Sequence, residues 1–171
     1  CLLREARAIN PQIQLACTRK SIPGTRLLAT TSVLNGGGII HRAGTAETIL
    51  VFANHRHFLE QPVDWCKLVE TLRIRAPEKK IVLEADTPDE AHKAMLAHAD
   101  IVQLDKFTPE QIMQCLRHAE QTHYPGKLIA AGGIHQGNVK EYAATGVSVL
   151  VTSSPYYAKP ADIKVVLRPL K

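Results

Sequence analysis

The stretch "KLIAAGGIHQGNVKEYAATGVSVLVTS", Lys127 to Ser153, decides the fold. Lys127–Ala131 is a short apolar run that ends on a glycine pair, too short for a helix, so it reads as a buried strand. "NVKEYAAT" has helical spacing, Gly146 stops it, and "SVLVT" at Ser148–Thr152 is apolar again. A strand that reaches its neighbour through a helix lies parallel to it. The same alternation runs back through "IQLAC" at Ile13–Cys17, "TILVF" at Thr48–Phe52, "IVLEA" at Ile81–Ala85 and "DIVQL" at Asp100–Leu104. The expectation is six strands in a mainly parallel α/β sheet. Two helices announce their starts, "TPDEAHKAMLAHA" on Thr87 with Pro88 and "TPEQIMQCLRHAEQ" on Thr108 with Pro109. The tail "ADIKVVLRPL" differs: its alternation at Ile163, Val165 and Leu167 describes a half-buried strand with no helix after it.

A chain of 171 residues is the size of one domain, and no linker, repeat or low-complexity tract divides it. Lys plus Arg exceed Asp plus Glu by 21 to 16, giving a net charge of +5, but the cations are scattered except between Arg19 and Arg42. With aromatics at 5% and no reader motif, a nucleic-acid partner is excluded in favour of small anionic ligands. No apolar run approaches the ~18 residues of a membrane span, and "CLLREARAIN" is not a signal peptide, so a soluble, cytoplasmic protein without membrane contact is expected. The four cysteines are far apart, and Cys17, Cys66 and Cys115 sit in apolar contexts typical of reduced core residues. His55 and His57 have alternating spacing but no third ligand in sequence, and read as surface.

Chemistry collects where the strands end. Arg19, Asn54, Glu84, Asp105, Gly132 and Ser153 each follow or close a strand, and in an α/β barrel that rim is where substrates bind. Glu84 and Asp105 interrupt apolar strands, where a carboxylate is costly unless it meets a metal, sugar hydroxyls or solvent. Magnesium or sugar binding is one reading; solvated acids or helix caps are the other. Gly132 and Gly133 lie between a strand and a helix, which suits phosphate, although glycine is also the default residue of tight turns. Ser153 and Ser154 close the next strand, at the pair of strand ends where barrel phosphate sites recur. Arg19 and Lys20 leave the first strand, and Arg26, His41 and Arg42 accompany them around "NGGG". So many cations near one another imply an anion between them. His41 and Arg42 precede the strand at Thr48–Phe52, so they reach that rim only if their segment folds across it.

The ordered set "TRKSIPGTRLLA…NGGGIIHRAGTAETILVF", "LEAD", "VQLDKF" and "AAGGIHQGNVKEYAATGVSVLVTS" resembles the carboxyl-terminal domain of the quinolinate phosphoribosyltransferase family, the carboxylating nicotinate-nucleotide pyrophosphorylases. Within it, "CTRKSIPGT", "GGGIIHRAG" and "SSPYY" resemble most the branch encoded beside bacterial molybdate transporters. The resemblance implies an incomplete, six-stranded, TIM-like parallel α/β barrel over residues 1–158. It also implies a tail strand over 159–171 that pairs with an amino-terminal α/β sandwich domain absent from these residues, and a homodimer built through that domain. The implied reaction transfers phosphoribose from PRPP, with Mg2+, to a pyridine nitrogen and releases pyrophosphate. Position by position, Arg19, Lys20, His41 and Arg42 match acceptor-binding residues, Glu84 and Asp105 match those serving magnesium and the ribose hydroxyls, and Gly132 and Gly133 match the phosphate loop. Lys20, Glu84 and Asp105 are the residues assigned to catalysis. Three departures stand out: Phe52 replaces a lysine that binds a substrate carboxylate, Ala131 replaces a serine, and Tyr157 in "SSPYY" falls in place of a histidine. An acceptor other than quinolinate is therefore expected, with a link to molybdenum metabolism; the alternative is a non-catalytic, regulatory binder of a phosphorylated metabolite or an oxyanion such as molybdate.

Overall fold

The structure, a computed structural model, describes residues 2–44, 47–159 and 162–169; Cys1 and the tail residues 160–161 and 170–171 lie outside the described residues. Seven strands form one sheet: β1 (Gln14–Cys17), β2 (Ile39–Ile40), β3 (Thr48–Val51), β4 (Lys80–Ala85), β5 (Ile101–Asp105), β6 (Lys127–Ala131) and β7 (Val149–Thr152). Every pairing is parallel, in the order β2-β1-β7-β6-β5-β4-β3. This is chain order bent into a ring and left open between β2 and β3, a parallel α/β half-barrel.

The expected count of six becomes seven because of β2. Its two residues are too short to show a period, and pairing alone makes it a strand, through Ala16↔Ile39 and Cys17↔Ile40. The tail residues 162–169 pair with no strand among the described residues and lie exposed; the strand expected over 159–171 depends on a partner sheet other than this one.

Alternation along the strands separates two cores. Ile81, Leu83, Val102, Leu104, Leu128 and Leu150 face the helices and are almost wholly buried. Ala16, Ile129, Ala131 and Val151 pack inside the sheet's curve. The inner set is small, and two of its four members are alanines, which leaves room at the carboxyl end of the ring. Outside lie α1 (Leu2–Ile9), α2 (Arg26–Asn35), α3 (Ala53–Arg56), α4 (Trp65–Arg75), α5 (Pro88–Leu96), α6 (Pro109–Gln121) and α7 (Val139–Ala144), with α1 packed on α7. Cys17 and Cys115 are buried, whereas Cys66, expected in the core, is exposed, because it lies on the outer face of α4 whose buried residue is Val69. Among the described residues no helix is long and apolar enough to cross a membrane.

The helix starts follow the sequence. Thr87 Oγ1 accepts from the Glu90 N–H, and Thr108 Oγ1 accepts from the Gln111 N–H while Gln111 Oε1 accepts from the Thr108 N–H, a complete capping box. Gly146 ends α7 at φ +90°, a backbone conformation that glycine adopts without strain. Each cap also fixes where the preceding strand stops, and hence the rim. Replacing Thr108 by Ala is expected to lower unfolding free energy by about 1 kcal/mol in urea denaturation; a variant as stable as the parent would show that the cap contributes nothing.

Candidate active site

The open carboxyl end of the ring holds a cavity of about 900 Å³. The ten residues assigned from the sequence to binding or catalysis line it, Arg19, Lys20, His41, Arg42, Glu84, Asp105, Gly132, Gly133, Ser153 and Ser154, whereas Asn54, also expected at a strand end on that rim, does not. Parallel pairing explains this convergence. Ala16, Val151, Ala131 and Asp105 are register partners in turn, so the residues that follow them on β1, β7 and β6 reach the rim together.

The cationic wall comes from β1 and β2. Arg19 and Lys20 leave β1, and His41 and Arg42 leave β2 beside them, with the His41 N–H donating to the Cys17 carbonyl at 2.8 Å. The extra strand thus resolves how residues ahead of β3 reach the mouth: they follow a strand of their own. The cations press on one another. Burial first, then Arg42 and Arg19, push the His41 imidazole down to about 4, so at neutral pH it is uncharged. Burial and Arg19 also lower Arg42, against the opposing effect of Glu47. Arg42 holds a left-handed backbone at φ +60°. Arg26, from the start of α2, donates to the Ala43 carbonyl and joins the same wall.

The acidic wall comes from β4 and β5. Glu84 lies opposite Gln103 in register, and the Gln103 amide donates to Glu84 Oε2 at 2.7 Å. Burial, followed by the charge of Asp105, raises the Glu84 carboxyl above the usual carboxylate range, with the Gln103 hydrogen bond pulling the other way. Gln103 is 4% exposed, and its Oε1 has no partner among the described residues. Behind this wall the buried Arg56 donates to the Glu84 carbonyl at 2.6 Å and to Glu90 at 2.8 Å, and stacks over Trp65. It pins the end of β4.

Between the walls runs the glycine turn. Gly132 and Gly133 both have positive φ, +82° and +71°. A Cβ on Gly132 would come within 2.7 Å of Asp105 Oδ1, so glycine there keeps the carboxylate in place. No acceptor among the described residues meets the N–H of either glycine. Ser154 is more committed: its N–H donates to Thr152 Oγ1 at 2.9 Å, which leaves its hydroxyl for a ligand. "SSPYY" forms a 3-10 turn at Ser154–Tyr157, whose Tyr156 and Tyr157 hydroxyls donate to the carbonyls of Thr18 and Lys20. Tyr157 therefore holds the backbone of the cationic loop rather than contributing charge.

Sequence reasoning missed Gln103, Lys106, Arg56 and His135. Gln103 is a polar residue inside an apolar strand run, and that is the one signal that could have found it. Lys106 and His135 look like ordinary loop residues, and Arg56 is brought to Glu84 only by tertiary packing. His55 and His57, set aside as surface, stay out of the cavity, and no cluster of three or more metal-ligating side chains occurs among the described residues.

Comparison with known proteins agrees with this geometry. Residues 2–166 match the family model described as "Quinolinate phosphoribosyl transferase, C-terminal domain". "Putative pyrophosphorylase ModD" of Escherichia coli O157:H7 is 53% identical over 168 residues, 98% of this chain and 58% of that protein. "Probable nicotinate-nucleotide pyrophosphorylase [carboxylating]" of Methanothermobacter thermautotrophicus is 35% identical over 99% of this chain and 61% of its own length. The nicotinate-nucleotide pyrophosphorylase structure from Francisella tularensis superposes with a TM-score of 0.75 at 30% identity, covering 88% of this chain and 50% of that one. The chain thus spans less than two thirds of the length of these relatives. By the extent of the match, the ordered motifs and the half-barrel alike, the chain belongs to the quinolinate phosphoribosyl transferase C-terminal domain family.

Proposed function

We propose that this cavity is a phosphoribosyl-transfer site, in which phosphoribose passes from PRPP to the nitrogen of a heterocyclic carboxylate and pyrophosphate leaves. The observation that carries the reading is the pair of oppositely charged walls in one cavity, Glu84 and Asp105 on one side and Arg19, Lys20 and Arg42, with the neutral His41 among them, on the other. A simple anion site has no use for two acids, one of them already destabilised by burial and by the other. The two carboxylates fit magnesium, which in phosphate sites takes one or two protein carboxylates and completes its shell with phosphate oxygens and water. When bound, the ion supplies positive charge to the departing pyrophosphate.

The chain's own groups do the rest. Glu84, held by Gln103, and Asp105 accept hydrogen bonds from ribose hydroxyls and fix the sugar. The free N–H groups of Gly132 and Gly133, with the hydroxyls of Ser153 and Ser154, hold a phosphate. Arg19, Lys20, His41 and Arg42 grip the acceptor carboxylate and aim its ring nitrogen at the anomeric carbon. The nitrogen's lone pair forms the new C–N bond as the C–O bond to pyrophosphate breaks, so alignment and charge neutralisation are the protein's main tasks and no side-chain nucleophile is required. Phe52, at the end of β3, puts an apolar wall on the cavity and favours an acceptor less charged than quinolinate. Completion of the site by a homodimer, and a role in molybdenum metabolism shared with the ModD branch, belong to the same proposal.

The same Phe52 favours a second reading, a regulatory binder of a phosphorylated metabolite or of an oxyanion such as molybdate. Calorimetric titration of PRPP with magnesium into the parent and a Glu84→Ala, Asp105→Ala variant separates the two. A transferase loses magnesium-dependent binding in the variant; an oxyanion binder keeps or gains affinity for molybdate when the acids are removed. Gly132→Ala is expected to weaken PRPP binding at least tenfold, because the new Cβ displaces the Asp105 carboxylate and strains a backbone at φ +82°; unchanged affinity would remove the turn from the site.

His41 supplies a pH signature. Its imidazole in the free protein titrates at about 4, and an anionic carboxylate placed among the cations raises that value. Binding then takes up a proton, so affinity for a pyridine carboxylate rises as pH falls from about 6.5 towards 4. Titrations across this window should show the rise in the parent and a flatter profile in His41→Gln; identical profiles would place His41 outside the acceptor site.

A further inference from the structure

Lys106 follows Asp105 directly and has a left-handed backbone at φ +58°, a conformation that costs a lysine and suits glycine or asparagine better. The conformation is pinned, because the Lys106 N–H donates to the Ala131 carbonyl at 2.7 Å, across to the end of β6. Its aliphatic stem occupies the space that the absent Cβ of Gly132 leaves open: a Cβ there would stand 2.6 Å from Lys106 Cγ. The stem is thus seated against the glycine turn, and the side chain lines the cavity while remaining 79% exposed. The ammonium lies 3.8 Å from Asp105 Oδ2, the one ion pair that Asp105 makes among the described residues. A solvated pair of that length contributes little to stability and does not account for the strained backbone.

We infer that Lys106 is a phosphate-binding residue of this site, its ammonium meeting a phosphoryl oxygen of the ligand between Asp105 and the Gly132–Gly133 turn. The inference rests on the phosphoribosyl-transfer reading and extends it to a residue outside the set that the family resemblance supplies. The physical need is local. A phosphorylated ligand that approaches the glycine turn passes Asp105 and Glu84, whose charges repel it, whereas Arg19, Lys20, His41 and Arg42 belong to the β1–β2 side of the ring. Lys106 supplies a cation on the acidic side and on the same turn as the free glycine N–H groups. Phe52 offers no charge to the cavity at the end of β3, whereas Lys106 offers a cation at the end of β5. The ligand oxygen belongs either to the 5-phosphate of the sugar or to pyrophosphate, and the test separates them.

The test compares the full protein with its Lys106→Asn and Lys106→Arg variants. Asparagine tolerates the left-handed backbone and removes only the charge; arginine restores the charge. Pyrophosphate with magnesium and, separately, ribose 5-phosphate are titrated into each, and thermal melting is recorded. The expected result is about tenfold weaker binding of at least one ligand by Lys106→Asn, recovery in Lys106→Arg, and melting no lower than the parent's. Loss confined to pyrophosphate assigns Lys106 to the leaving group, and loss confined to ribose 5-phosphate assigns it to the sugar's phosphate. A Lys106→Asn protein that binds both ligands as the parent does overturns the inference and leaves the phosphoribosyl reading standing. A parent that binds neither ligand overturns that reading, and the inference with it.

Discussion

Parallel hydrogen bonding forces every strand of this sheet to end at the same rim, and the chemistry of the protein depends on that constraint. Asp105 pairs in register with Ala131, Ala131 with Val151 and Val151 with Ala16, so groups far apart in sequence leave the sheet at one level. The interior beneath them is filled by short side chains, Ala16 and Ala131 among them. Longer residues there would fill the cavity. The helices outside, locked by threonine caps and a large apolar contact with Ile81, Leu104 and their neighbours, hold the ring without occupying it.

Charge separation across the mouth follows from which strands supply which residues. On the β1–β2 side burial, and then the neighbouring cations, lower the proton affinity of His41; on the β4–β5 side burial, and then Asp105, raise that of Glu84. An anion placed among the cations would relieve the first shift, and a cation placed between the carboxylates would relieve the second.

Much of this was legible in the sequence, for physical reasons that also explain the exceptions. The six strands other than β2 were visible as apolar runs because most of their residues are buried, and the threonine-proline starts of α5 and α6 were visible because caps are local chemistry. β2 was invisible: two residues have no period, and only the partnership with β1 makes Ile39–Ile40 a strand. The tail is different: Ile163, Val165 and Leu167 alternate like a strand, but with no partner strand among the described residues they lie exposed. The ten candidate residues fall in one cavity because strand ends are predictable once strands are. Gln103, Arg56 and Lys106 were not, because their significance lies in what they touch: Glu84 Oε2, the Glu84 carbonyl and the space above Gly132.

The measurement that bears most directly on the oppositely charged cavity is a crystal structure of the protein with PRPP and magnesium. The expected density has the ribose hydroxyls on Glu84 and Asp105, a phosphate on the Gly132–Gly133 turn, and the anomeric carbon facing the cations of β1 and β2. Density for an anion on the cationic wall alone, with both carboxylates unengaged, would contradict a phosphoribosyl-transfer site.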